Sequence, residues 1–242
     1  MQLKDMIYCR KSVRSYTGEP VGEEMLAKIR EFAASAKPLF PGIQTRCEIV
    51  SRDQVKTIMP WATPQLIAVF SQKKEGYLEN AGFVFQQVEM YLQGIGLGAC
   101  WLGLGKFRKS EIPQAEGMEF VIFIAFGSPD EPQFRNSAAE FRRKALSEIT
   151  DREDPRLECA RLAPSSTNSQ PWYFTHEENV IHAYCCEAGF LRHKFLGNMN
   201  RIDMGIALAH IYLENIDTFR FFETKPKNSP KGYRYTGSFS LG

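Results

Sequence analysis

Leu162-Ala163-Pro164-Ser165-Ser166-Thr167-Asn168-Ser169-Gln170-Pro171-Trp172-Tyr173-Phe174 sets six polar residues between two prolines. An amphipathic segment leads in and an aromatic strand leads out. Ser165, Ser166, Asn168 and Gln170 carry more donors and acceptors than one turn absorbs, and buried polar groups need partners. Singly, each residue suits an N-cap or an Asx-turn on the surface. As a run, they suit the polar rim of a bound ligand.

Upstream of this run, Asp154-Pro155 reads as a helix start, an N-cap followed by proline in the first turn. That helix carries Leu157 and Ala160 and has to end near Ala163, because the residue before a proline avoids the α region. Downstream, Trp172–Thr175 and Val180–Tyr184 read as strands around Glu177-Glu178-Asn179. Asp203–Ile216 is a helix with Ile206, Ala209, Leu213 and Ile216 on one face. Phe219–Phe222 is a strand. The Lys-, Pro-, Gly- and Ser-rich tail after Thr224 is expected to wrap over the surface, with a hairpin near Thr236-Gly237.

The same plan precedes it. Glu23–Ala36 is a helix on Leu26, Ile29 and Ala33, stopped with the help of Pro38. Gln65–Phe70 suits a buried strand. Asn80–Ile95 is the strongest helix, with Val84, Val88, Tyr91 and Ile95 in phase, and Gly94, Gly96 and Gly98 end it. Phe120–Phe126 is a second buried strand. The chain therefore reads as one α+β domain of two pseudo-repeats, residues 1–150 and 151–242.

The 242 residues are 43% hydrophobic and 24% charged, with a net charge of +2. These are ordinary values for a globular chain. Without a concentrated basic excess, neither nucleic acid nor a membrane is an expected partner. No stretch is apolar for long enough to span a bilayer, and Met1-Gln2-Leu3-Lys4-Asp5 lacks a signal-peptide layout; a cytoplasmic location is expected. Cysteines 9, 47, 100, 159, 185 and 186 form no Cys-x-x-Cys pair, so they read as mostly buried thiols and no metal site is expected. His176, His182, His193 and His210 are scattered and read as structural.

Three other stretches carry chemistry. In Arg10-Lys11-Ser12-Val13-Arg14, extended backbone puts Arg10, Ser12 and Arg14 on one face and Val13 on the other. Paired guanidinium groups suit a phosphate, although alone the segment also reads as a solvated basic one. Phe141-Arg142-Arg143-Lys144 is a second basic segment, which alone reads as a surface turn. Gly94–Gly105 holds five glycines with Trp101 and Leu102 among them. It follows a helix instead of opening one, which excludes a dinucleotide fingerprint. It reads equally as a tight turn into a strand or as backbone passing close to a flat ligand.

Together the four stretches resemble the FMN-dependent nitroreductase family. Arg10-Lys11-Ser12-Val13-Arg14-Ser15-Tyr16 is similar to its Arg-rich opening, and Ala163–Trp172 to its Ala-Pro-Ser-x-x-Asn-x-Gln-Pro-Trp segment. Gly96–Gly103 is similar to its Gly-rich stretch, and Arg143–Glu148 to its closing basic segment. In the usual order the Pro-Ser-x-x-Asn segment follows the opening within a few dozen residues. Here Phe32–Leu39 stands at that place without the Asn-x-Gln-Pro-Trp, and the intact copy lies in the second half.

The resemblance implies a nitroreductase-like α/β/α sandwich with a central, mostly antiparallel sheet. It implies a monomer fused from two pseudo-repeats that mimics the family dimer. It implies one FMN site shared between the halves. Arg10, Arg14 and Arg143 would hold the phosphate, with Lys11 and Arg142 also counted among the cofactor-binding residues. Ser12 would meet phosphate or ribityl. Pro164, Ser165, Ser166 and Asn168 would meet ring and ribityl. The backbone at Leu102 and Gly103 would approach N5. The implied activity is ping-pong transfer from NAD(P)H to a nitroaromatic, quinone or similar small aromatic acceptor, with no catalytic side chain because the flavin carries the chemistry. Alternatives are a dehalogenase or flavin-degrading enzyme of the same superfamily, and a flavin-binding protein without turnover.

Overall fold

The computed structural model describes residues 2–108, 112–113, 115–187 and 193–242. The first half holds α1 (Glu23–Ser35), β1 (Thr45–Ser51), β2 (Val55–Thr57), β3 (Gln65–Ser71), α2 (Tyr77–Gly94), β4 (Gly98–Leu102), β5 (Gly105–Phe107) and β6 (Glu119–Gly127). The second holds α3 (Glu158–Arg161), β7 (Trp172–Glu177), β8 (Val180–Cys186), α4 (His193–Glu214), β9 (Arg220–Phe222) and β10 (Tyr233–Ser240).

Each half builds a four-stranded antiparallel sheet, in the orders β1-β3-β6-β4 and β7-β8-β10-β9. Replacing β1, β3, β6 and β4 by β7, β8, β10 and β9 converts one order into the other. Even an irregularity recurs. Val121 is the extra residue in β6 opposite Val69/Phe70, and Thr236 is the extra residue in β10 opposite Ala183/Tyr184. Bulges of this kind are designed features of a sheet, so the shared position marks two copies of one plan.

Helices α2 and α4 join the halves. α2 packs on the first sheet, α4 on the second, and the two helices pack on each other. Glycine permits the close approach. A Cβ on Gly82 would sit 2.1 Å from the Ile202 carbonyl oxygen, and one on Gly205 would sit 2.0 Å from that of Glu79. Gly82 lies three residues after Glu79, and Gly205 three after Ile202. Exchanging the helices therefore exchanges the contacts, as across the two-fold axis of a dimer. The α+β class and the antiparallel pairing are as expected from the sequence, while the one central sheet is realised as two sheets linked by a helix pair.

Several elements differ from the sequence reading. α4 begins at His193, well before Asp203, because Asn198, Asn200 and Arg201 mask its first turns. α2 begins at Tyr77 and α3 is a single turn after a 3-10 turn at Pro155–Leu157. β1, β2 and β5 are short and largely polar and leave no period-2 apolar signal. The tail does not wrap as a hairpin. β10 is an interior strand between β8 and β9, and Thr236-Gly237 is its bulge. Cys100, Cys159 and Cys185 are buried, the other three cysteines are half-buried, and all six are free.

Candidate functional site

A cavity of about 360 Å³ opens between the halves. The first half contributes Ser12 and Arg14 from the opening segment, Met59 and Trp61 from the β2–β3 connection, and Cys100 to Leu104 at the end of β4. The second contributes Pro164 to Thr167 and one face of α4, with Met199, Ile202, Asp203 and Ile206. The volume falls in the ~300–1,000 Å³ range of small-molecule pockets, and the walls follow the usual plan of apolar surface with a few polar groups.

The Ser/Asn loop on one wall is strained. Thr167 (φ 52°), Asn168 (φ 59°) and Gln170 (φ 47°) all lie in the left-handed region, which non-glycine residues rarely adopt outside functional sites. Local bonds hold the loop there. Ser165 Oγ accepts from Gln170 N at 2.9 Å, and Asp203 accepts from Ser166 N at 3.0 and 3.1 Å. Asn168 donates to the Arg142 carbonyl at 2.7 Å and accepts from Arg143 Nη1 at 2.6 Å. Gln170 Oε1 accepts from Lys144 N at 2.8 Å. The polar run thus finds its partners within itself, in Asp203 and, through Asn168 and Gln170, in the basic segment that ends the first half.

The basic groups gather at one end. Arg143 donates to the carbonyls of Leu162 and Ala163, and Arg135 donates to the Arg10 carbonyl. Both guanidinium groups lie over the Phe141 ring, at 5.7 and 4.2 Å. Burial, then repulsion from Arg10, Arg135 and Arg161, pushes Arg143 down to about 10. Burial, then Arg10, lowers Arg135. No carboxylate forms an ion pair with Arg14, Arg135 or Arg143 among the described residues. Cations that disfavour one another in a partly dry site are stabilised by a bound anion.

Beneath the site lies a buried polar network. Arg10 is 1% exposed and donates to Glu89 at 2.8 and 3.1 Å and to Ser12 Oγ at 3.1 Å. Glu89 also accepts from Gln86 at 2.8 Å, and Gln86 in turn accepts from Trp101 Nε1 at 2.9 Å. Gln86 reaches His210 at 3.4 Å; burial drives that imidazole down to about 3, so it is neutral. On the cavity wall, burial pushes Asp203 up to about 8, with the Ser166 N–H acting in the opposite direction.

Of the residues singled out in the sequence, Ser12, Arg14, Leu102, Gly103, Pro164, Ser165 and Ser166 share the cavity wall. Five stand elsewhere. Arg10 is spent on Glu89 and supports Ser12 from below. Lys11 pairs with Glu131 at 2.9 Å. Arg142 is exposed, with its carbonyl on Asn168. Arg143 and Asn168 bind each other at the loop's outer side. The sequence reading did not find Arg135, Trp61, Met59 or Asp203. The last was legible as an acid inside an apolar helix face, which is costly to bury unless it has a use. His176, His182 and His210 each have a partner, respectively Asp151 and Asp154, Ser238, and the Cys159 carbonyl. His193's side chain lies outside the described residues.

The two-fold relation predicts a second cavity, and at that place the described residues put aromatic rings. Asn80 follows Glu79 as Asp203 follows Ile202, and Asn80 Oδ1 accepts from Phe40 N at 2.9 Å as Asp203 accepts from Ser166 N. Phe40 therefore stands where Ser166 stands. Counted from the bulges, Phe221 in β9 matches Trp101 in β4. The Phe40 and Phe221 rings meet edge to face at 5.4 Å, and Phe40 lies on Gly76. Glu79, fully buried, is closed off by Arg201 and Arg234.

Known proteins agree with this architecture. Residues 2–215 match the family described as "Putative TM nitroreductase". The chain belongs to this nitroreductase family. Among solved structures, a "putative nitroreductase" of Thermotoga maritima is 19% identical, with a TM-score of 0.65 over 100% of this chain and 93% of its own. A nitroreductase family protein of Clostridium difficile 630 is 18% identical, with a TM-score of 0.50 over 61% of this chain and 95% of its own. These likenesses are of fold. No curated protein matches the sequence. Among the described residues no helix is long and apolar enough to cross a membrane.

Proposed function

We propose that the chain is an FMN-dependent NAD(P)H oxidoreductase of nitroreductase type with one flavin site, working as a monomer that mimics a dimer. The observation that carries this reading is the composite cavity. Ser12 and Arg14 of the first half face Pro164 to Thr167 of the second across one volume. The residues fit FMN at both ends. The mutually repelling arginines suit a phosphate, and the apolar wall above the β4 backbone suits a flat ring.

In this reading Arg14 and Ser12 hold the phosphate and ribityl, with Arg135 and Arg143 supplying field from behind. Arg10 keeps Ser12 in place through Glu89. Ser165 and Ser166 offer hydroxyls to the polar edge of the ring, and Leu102 and Gly103 bring backbone against it. When bound, FMN would supply the redox chemistry, that of a hydride acceptor and electron donor. The chain's part is to orient donor and acceptor in turn over one apolar face and to exclude water from it.

An absorbance spectrum of the purified protein, followed by anaerobic nicotinamide addition, tests this. The proposal expects a yellow protein bleached by NADH or NADPH and re-oxidised by a quinone. A yellow protein indifferent to both nucleotides points to flavin binding without turnover. A colourless protein that takes up no FMN refutes the proposal.

A further inference from the structure

The halves differ most at the cavity mouth. β7 and β8 are joined by the two residues Glu178 and Asn179, whereas β1 and β3 are joined by residues 52–64. Part of that insertion, β2, pairs with β5 as a ribbon, Val55 opposite Phe107 and Thr57 opposite Gly105. The ribbon is anchored: Val55 is fully buried, and Phe107 packs on Phe120 and Phe123 at 5.1 and 4.9 Å. It is thus a preformed wall.

Where the ribbon ends, Met59, Trp61 and Leu104 enter the cavity opposite α4. Among the described residues that line the cavity, the ionisable acid and base are Asp203, which burial favours in its neutral form, and Arg14, which lies 5.7 Å over the Trp61 ring. The ribbon's last pair is Thr57 opposite Gly105, and the residues next to it in the chain, Ile58 and Leu104, are 81% and 45% exposed. Single exposed apolar side chains are unremarkable, but an apolar lip continuous with an apolar cavity is a binding feature.

We propose that the β2–β5 ribbon is the acceptor-recognition element, and that it selects an uncharged ring acceptor bearing an apolar tail, the ring inside the cavity and the tail leaving across Ile58 and Leu104. This rests on the FMN reading above. Charged acceptors are disfavoured because, among the described residues, the walls between ribbon and α4 offer no counter-ion beyond Arg14 and Asp203, already engaged with Trp61 and Ser166.

The test compares a tail-less benzoquinone with its decyl-substituted analogue, using FMN-loaded protein reduced with dithionite and freed of excess reductant. kcat/KM is measured by stopped-flow re-oxidation, and binding to oxidised protein by tryptophan fluorescence. The decyl compound is expected to exceed the tail-less one roughly tenfold in both, since two or three methylenes held against the lip suffice for that gain. In Ile58→Ser/Leu104→Ser the ratio is expected to fall towards one. A wild-type ratio near one, or a ratio the double variant leaves unchanged, overturns the inference while the FMN reading stands. Failure of the protein to take up FMN overturns both. If the protein is a dimer by light scattering and the double variant is a monomer, the lip is a self-interface and the inference is wrong.

Discussion

The α2–α4 pair has two related ends, and they have opposite fates. At one, Ser166, Asp203 and Trp101 border an open cavity that is also lined by Arg14, which makes no ion pair among the described residues. At the other, Phe40, Asn80 and Phe221 occupy the matching positions, and the two aromatic rings meet there edge to face. The backbone plan is common to both ends, down to the position of a bulge. The ends differ in side chains, with two phenylalanines and an Arg201–Glu79–Arg234 cluster at one, and in the β2–β5 ribbon and the Arg10–Arg14 segment, which stand at the other. The fold tells where a site can be; the residues tell whether it is one.

The comparison can be broken most forcefully at its hinge. Gly82→Val and Gly205→Val each drive a side chain into a facing carbonyl, and overpacking of this kind costs about 3 kcal/mol or more. Similar losses in the two variants, measured by urea denaturation, sustain the two-fold relation; a tolerated substitution at either glycine breaks it.

Asp203 and Asn80 mark the difference in charge. Asp203 is held up to about 8 by burial, above its ordinary carboxylate value. The native state therefore binds this proton more tightly than the unfolded chain does. Its contribution to stability is full below about pH 4 and is lost as pH rises through about 8, a change of at most a few kcal/mol. Asp203→Asn, which copies Asn80, is expected to remove that decline. A thermal-stability profile between pH 5 and 8.5 with the same slope in both proteins contradicts the assignment.

Opening the closed end sharpens the contrast. Phe40→Ala removes a half-buried ring and is expected to cost about 2 kcal/mol, below the ~3–5 for a fully buried one. FMN uptake should not increase, because among the described residues no counterpart of the Arg10–Arg14 segment stands there. Two flavins bound by the variant in equilibrium dialysis show the plug to be all that separates the ends. At the open end, Arg14→Ala loses a charged hydrogen bond of about 1.5–3 kcal/mol, a tenfold to hundredfold weakening of FMN in titration of the apoprotein; unchanged affinity removes Arg14 from the site.

Much of this was legible. The polar run between Pro164 and Pro171, the helix ending in Gly94, and the paired apolar strands fixed two repeats and named both walls of the cavity. What escaped did so for physical reasons. Arg10 looks like a surface cation because the sequence does not show that Glu89, far along the chain, lies beside it. That Asn168 bonds to Arg142 and Arg143 is equally hidden, because these residues lie about 25 positions away in the chain. β10 hides because Gly237 is needed under the Phe221 ring, and its Cβ would fall 2.2 Å from that ring. Met59 and Trp61 belong to an insertion without periodicity, so only tertiary structure brings them to the mouth.

Flavin released from purified, FMN-saturated protein, counted against the chain concentration, tests most directly whether the two halves share one site. The account predicts one FMN per chain, lost in proportion when Arg14 is removed. Two per chain, or none, contradicts it.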